Sequence, residues 1–388
     1  MTKSAAHKTA APVPMLDLSR QYASIRTDVL AAITRVCDSQ RYILGDEVVA
    51  FEREFAPHCG TAHAIGCASG TDGLWLALAA AGIGHGDSVI TTPFSFFATA
   101  SSILRAGAKP IFADIDPETL NLDPGSVEQR LKLASTRAIM PVHLYGQCAD
   151  MDSFDRLAAE FKLQIIEDAA QAVGATWNGR LAGSLGTAAA FSFYPTKNLS
   201  AFGDAGAVTT SDRALAERIQ SLRNHGGKQR YYHDEIGANS RLDSIQAAVL
   251  RVKMPRLEEW NRARHERART YGRLLTGAGL TKTGANSVPP VVLLKTLPGA
   301  NHIYHQYVVR VRDRDKLRAF LTERGVGSEI YYPIPLHLQK CFAYLGYAAG
   351  DLPESERAAL DVLALPIFPE LEEDEQRQVV DAIAEFYS

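Results

Sequence analysis

The run Ser192-Phe193-Tyr194-Pro195-Thr196-Lys197-Asn198-Leu199 closes a short apolar stretch, Ala189 to Phe193, that reads as a strand. Upstream, Leu163 to Glu167 reads as another strand, ending in Ile166-Glu167-Asp168-Ala169-Ala170-Gln171. An amine, Lys197, and a carboxylate, Asp168, therefore stand just past two strand ends. Strands that are apolar on both faces and separated by helices form a mostly parallel sheet covered on both sides. Such sheets bind ligands at the carboxyl ends of their strands. An amine there can make a Schiff base with a cofactor aldehyde, and a carboxylate can keep a pyridine nitrogen protonated. Together the two residues point to pyridoxal phosphate. Separately each has a plainer reading, because acids at strand ends cap helices and most lysines are solvated surface groups.

The same alternation extends outward from this pair. Strands are expected at Ala64–Ala68, Ser88–Thr92, Pro110–Ile115, Ala138–Leu144 and Ala207–Thr210. Helices are expected at Asp72–Ala81, Phe97–Ala106 and Met151–Phe161. Leu242 to Trp260 reads as a long helix interrupted near Pro255, continued by a charged helix to Arg269. Beyond it come a strand at Gln306–Val311, a helix at Lys316–Arg324, a strand at Ser328–Tyr332 and a last helix at Asp374–Phe386. The pattern predicts a flexible tail over residues 1–13, a large α/β domain over 14–255 and a smaller C-terminal α+β domain over 256–388.

Composition narrows the function classes. The 388 residues carry 41 basic and 44 acidic side chains, a net charge of −3, so no basic face for nucleic acid is implied. Five scattered cysteines, Cys37, Cys59, Cys67, Cys148 and Cys341, form no Cys-x-x-Cys pair and suggest neither a disulfide framework nor a zinc site. No apolar run approaches the roughly 20 residues that span a bilayer, and the polar head lacks a signal-peptide core. A cytoplasmic enzyme without a metal is expected.

Other segments carry candidate chemistry. Ser69-Gly70-Thr71-Asp72-Gly73 joins a strand to a helix, and its free N–H groups and hydroxyl suit a phosphate, though Ser69 can equally be a plain cap. Ser192 can add a second hydroxyl or be a buried strand serine. Phe96 lies past a strand end, where a ring can stack on a flat cofactor or fill the core. Asn239, in Gly237-Ala238-Asn239-Ser240-Arg241-Leu242-Asp243, can donate to a phosphate. The basic, aromatic loop from Gly226 to His233, with Arg230, can clamp a nucleotide diphosphate or lie in solvent. His337 is held between prolines in Pro333-Ile334-Pro335-Leu336-His337, and a lone histidine is more often structural than catalytic.

Taken together, Ala68–Asp72, Glu167–Gln171, Ser192–Asn198 and Gly237–Asp243 resemble the DegT-type nucleotide-sugar aminotransferases, over nearly the whole chain from Pro14. The resemblance implies a three-layer pyridoxal phosphate fold of type I, with a mostly parallel seven-stranded sheet. It implies that Lys197 binds the cofactor aldehyde, Asp168 pairs with the ring nitrogen and Gln171 lies near the ring hydroxyl. Gly70, Thr71 and Ser192 would hold the phosphate, and Phe96, or Phe97 one position on, would stack on the ring. Asn239 would reach the neighbouring subunit's phosphate in a homodimer with shared sites, while Arg230 and His337 would meet the sugar nucleotide. L-glutamate is the implied donor and a nucleotide-linked keto-sugar the acceptor, aminated at the 3-position or, as the alternative, the 4-position of a 4-keto-6-deoxy sugar. A regulatory protein that binds the cofactor without turnover is the competing class. Two features qualify the resemblance: Gly203-Asp204-Ala205-Gly206 stands where the family often has consecutive glycines, and Lys197 stands where a dehydratase branch has histidine.

Overall fold

The computed structural model describes residues 11–282 and 289–388. Seven strands form the main sheet: β1 His63–Cys67, β2 Ser88–Thr91, β3 Lys109–Phe112, β4 Ala138–Met140, β5 Gln164–Asp168, β8 Ala188–Ser192 and β9 Gly206–Thr210. Their order is β1-β9-β8-β5-β4-β2-β3. All neighbours are parallel except β9, which runs antiparallel to both β1 and β8. Three two-residue strands, β6 Thr176–Trp177, β7 Arg180–Leu181 and β11 Ala300–Asn301, make a small separate sheet.

The main sheet is buried on both faces because consecutive strand residues feed two different cores. Ile65, Val89, Met140, Ile166 and Val208 join one cluster, together with Leu74, Leu76, Ala77 and Leu78 of α3 (Gly70–Ala80) and Ile219 of α7 (Arg213–Leu222). Ala64, Ile90, Ile139, Ile165 and Ala207 join the other. That second core includes Phe51 and Phe55 of α2 (Asp46–His58), Val127 of α5 (Pro124–Leu131), Phe154 of α6 (Met151–Phe161) and Leu250 of α8 (Ser244–Lys253). Each fully buried leucine contributes about 1.5–3 kcal/mol. Close seating of α3 depends on Gly73, whose added Cβ would lie 3.3 Å from both Ala190 Cβ and the Ala207 carbonyl. A large side chain there would lift the helix from the sheet.

Several expected elements are shorter than the sequence suggests. β4 stops at Met140 because Pro141 has no N–H to continue the ladder; its carbonyl accepts from Asp168 N–H instead. Only Glu329 of the expected strand Ser328–Tyr332 pairs, in a single bridge to Ala364, and Pro333 prevents its extension. Two N-terminal helices were not expected. In α1 (Leu18–Ser39) the buried Gln21, Ile25, Val29, Ala32 and Val36 make one stripe, which packs on α8.

After a 3₁₀ turn at Met254–Arg256, α9 (Leu257–Gly277) leads to a second antiparallel sheet of β10 Val291–Leu293, β12 Tyr307–Val311 and β13 Val362–Leu365. Leu317 and Leu321 of α10 (Arg314–Glu323), Tyr271 of α9, and Val379 and Ile383 of α12 (Glu373–Tyr387) cover it. Val13 is buried in the same cluster and bridges Val326. Of the expected N-terminal tail, residues 1–10 lie outside the described residues.

Candidate active site

Asp168 ends β5, and its backbone is held by Pro141 O (from Asp168 N, 2.9 Å) and by His143 N (to Asp168 O, 3.0 Å). Thr99 donates its hydroxyl to Asp168 Oδ2 at 2.7 Å, and Ala170 N–H donates to Oδ1 at 3.3 Å. Because Thr99 spends its proton on the carboxylate, the 2.8 Å contact between Ser95 and Thr99 must have Ser95 as donor. Burial pushes the Asp168 pKa up, while Thr99, Ala170 and the positive charge of Lys197 oppose the shift.

Glu167, one residue earlier, points to the opposite side of the strand and has a structural role. It is 0 % exposed and accepts from Gly183 N (2.8 Å), Leu185 N (2.8 Å), Gly186 N (2.7 Å) and His143 Nε2 (3.0 Å). Ala149 N–H donates to His143 Nδ1 at 3.2 Å, so the histidine proton sits on Nε2 and serves Glu167.

Lys197 lies in the turn after β8, its N–H bonded to Tyr194 O at 2.8 Å. Its ammonium nitrogen has no hydrogen-bond partner among the described residues. Burial lowers its pKa to about 8, with Asp168 pulling the other way. At that value a sizeable neutral fraction exists near neutral pH, as a nucleophilic amine requires.

The start of α3 adjoins this pair through the neighbouring strand. Ser69 caps the helix by accepting from Asp72 N–H at 3.1 Å, and the first-turn amides of Gly70 and Thr71 have no intrahelical acceptor. Gly70 is pressed on Ser192: a Cβ on Gly70 would lie 2.7 Å from Ser192 Cβ and 3.3 Å from its hydroxyl. The turn therefore gathers two backbone N–H groups and the Ser192 hydroxyl at a positive helix end.

Gln171 is held by Tyr145 N–H, which donates to its Oε1 at 2.6 Å, and it donates through Nε2 to the Tyr332 hydroxyl at 3.1 Å. The Tyr332 ring lies 6.5 Å from that of Phe96. Phe96 is 60 % exposed, whereas Phe97 stacks on Phe342 at 5.4 Å. Of the two, Phe96 is thus the ring left near Tyr332, the partner of Gln171.

Three expected residues are not joined to this group. Asn239 is exposed and its backbone bridges Asn224. Arg230 is exposed, with its guanidinium over the Tyr231 ring at 4.9 Å. His337 is only 1 % exposed; it bonds Glu356 through Nε2 at 3.1 Å and meets the Tyr347 ring edge-on. The sequence reading missed Thr99, Tyr332 and the His143–Glu167 pair. The Ser95–Thr99 spacing of four residues before a helix was the one local sign of the hydroxyl relay.

Comparison with known proteins decides the family. Residues 23–384 match the model of the DegT/DnrJ/EryC1/StrS aminotransferase family. The chain belongs to this family. A pleiotropic regulatory protein of Geobacillus stearothermophilus is 52% identical to it over 97% of this chain and 98% of that protein. The dTDP-3-amino-3,4,6-trideoxy-alpha-D-glucose transaminase of Streptomyces venezuelae is 44% identical, over 96% of each. Among solved structures, S. venezuelae DesV in complex with a ketimine intermediate superposes with a TM-score of 0.92 at 44% identity, covering 97% of this chain and 99% of that one. The fold is accordingly that of the type I pyridoxal phosphate enzymes, and the chain is a nucleotide-sugar aminotransferase with pyridoxal phosphate as its cofactor.

Proposed function

We propose that this aminotransferase moves an amino group from L-glutamate to the 3-position of a nucleotide-linked keto-sugar, in the cytoplasm, for amino-sugar biosynthesis. The Lys197–Asp168 pair carries the reading: an amine with no hydrogen-bond partner among the described residues and a lowered pKa, near a buried carboxylate. The similarity to a 3-amino-sugar transaminase supports the position.

The residues fit the cofactor by their chemistry. Gly70 and Thr71 N–H with the Ser192 hydroxyl would hold its phosphate. Asp168, whose carboxyl burial destabilises as an anion, gains most from a cationic ring nitrogen beside it. Phe96 would cover the ring and Gln171 would meet its hydroxyl. When bound, the cofactor supplies an aldehyde for the amine and an electron sink for a carbanion. Lys197, neutral once displaced, would take the proton from the donor α-carbon and deliver it, within the same half-reaction, to the carbon that carried the cofactor's aldehyde. Thr99 and Ser95 keep the Asp168 carboxylate in place.

Asn239 and Arg230 are both exposed, which leaves them free, in a homodimer, to complete the partner's site for phosphate and sugar nucleotide. His337 is retained as a sugar-nucleotide contact only at second hand, since its ring is committed to Glu356. We further propose that residues 14–255 and 256–388 are separate domains, supported by the turn at Met254–Arg256 and by the distinct sheet beyond it.

The test is to incubate the holoenzyme with glutamate and UDP- or dTDP-linked keto-sugars, detecting products by mass and amination position by NMR. Loss of the visible absorbance with glutamate, followed by a 3-amino product, is expected. Amination at the 4-position would shift the assignment to that alternative. The regulatory name of the 52% identical relative favours one further reading, a cofactor-binding regulator. That reading requires glutamate to leave the bound cofactor unconverted.

A further inference from the structure

Asn198, directly after Lys197, is buried in a chain of side-chain amides. Asn261 of α9 donates through Nδ2 to Val173 O at 3.0 Å, which leaves its Oδ1 to accept. Asn198 Nδ2 donates to that oxygen at 2.7 Å and also approaches Ile303 O at 3.5 Å. Only the oxygen of Asn198 remains, and it lies 3.1 Å from His305 Nδ1. A carbonyl oxygen cannot donate, so the proton must be on Nδ1 of His305. The starting carbonyl of Val173 therefore fixes two amide orientations and one imidazole tautomer in sequence.

The histidine is itself clamped. Arg264 of α9, also buried, donates through one nitrogen to Tyr304 O (3.3 Å), His305 O (3.3 Å) and Ile367 O (3.0 Å). Burial above all, reinforced by the charges on Lys197 and Arg264, keeps His305 from taking a second proton. The ring thus stays neutral, adds no second charge beside Lys197, and presents a single fixed donor to Asn198.

We propose that His305 is a positioning residue for Lys197, acting through the side-chain amide of Asn198. The turn that carries Lys197 is anchored from within by this relay, which reaches it from α9 and the segment before β12. The inference rests on the reading of Lys197 as the amine that binds the cofactor.

Two polar variants test it, glutamine being close to histidine in volume and asparagine smaller, so that cavity formation alone would harm the Asn variant more. In His305→Asn the side-chain amide can occupy the Nδ1 position and donate to Asn198; in His305→Gln it reaches the Nε2 position and cannot. Holoenzymes of wild type and both variants would be compared by thermal unfolding, by pH titration of the bound cofactor's visible absorbance, and by half-reaction kinetics with glutamate. The Gln variant should shift the absorbance midpoint and lower kcat by about 10- to 100-fold, with KM for glutamate nearly unchanged; the Asn variant should stay close to wild type in both. Equal behaviour of the two folded variants, in titration and kcat alike, would overturn the inference. Borohydride trapping with peptide mapping separates the underlying reading: label on a residue other than Lys197 would overturn that reading and this inference together.

Discussion

Thr99 donates its hydroxyl proton to Asp168 Oδ2 across 2.7 Å, from a helix start to the end of a strand 69 residues later. This contact opposes the upward push that burial gives the pKa of the acid. Thr99→Val keeps the shape and removes the donor. A hydrogen bond to a charged group contributes about 1.5–3 kcal/mol, so cofactor affinity should fall about 10- to 100-fold, while Thr99→Ser retains most of it. Equilibrium dialysis of pyridoxal phosphate against both variants checks this.

Gly70 has no room for a side chain against Ser192. Gly70→Ala should push the first turn of α3 away from the strand and spread the groups expected to hold phosphate. Faster cofactor loss on gel filtration is expected, with thermal stability of the cofactor-free chain lowered by only about 1–3 kcal/mol. Unchanged retention would show that the turn does not meet the phosphate.

Lys253 gives a pH-dependent prediction. It is 3 % exposed, donates to Ser200 Oγ at 2.8 Å, lies over the Phe202 ring, and burial alone lowers its pKa to about 8. A lysine with a depressed folded pKa costs stability while charged in the fold. The cost is full below about pH 8 and disappears as pH rises past the unfolded value of about 10.4. Lys253→Met should therefore stabilise the protein at pH 7 by about 1–2 kcal/mol after loss of the Ser200 bond, and stabilise it less at pH 10. Urea unfolding at the two pH values measures the difference.

His143 and Glu167 should matter to folding. His143→Ala leaves a fully buried carboxylate with one donor fewer and opens a cavity, so about 2–4 kcal/mol should be lost. Glu167→Gln turns an acceptor-only group into one whose N–H₂ must face either the Leu185 and Gly186 amides or the Gly183 amide and His143 Nε2–H. A comparable loss in urea unfolding is expected.

Much of this could be read along the chain because the information is local. Strands buried on both faces show as apolar runs, so the alternation from β1 to β9 was visible, as were the strand ends bearing Asp168 and Lys197. The glycine and serines around the α3 cap were visible for the same reason. Thr99, Tyr332 and His305 were not, since each gains its meaning from a partner that only the folded chain brings near. α1 was hidden because its buried stripe includes Gln21 and Ala32 and is covered by contact with α8. His337 is fixed between its prolines as the sequence suggests, but the partner that holds its ring, Glu356, is one that no local pattern announces.

Val13 and Val326 pair in parallel although almost the entire polypeptide separates them. The segment around Val13 can be buried only once Val326 and the cluster around it are in place. An early segment thus closes a late layer, and proteolytic loss of that layer would strip the cover from Val13.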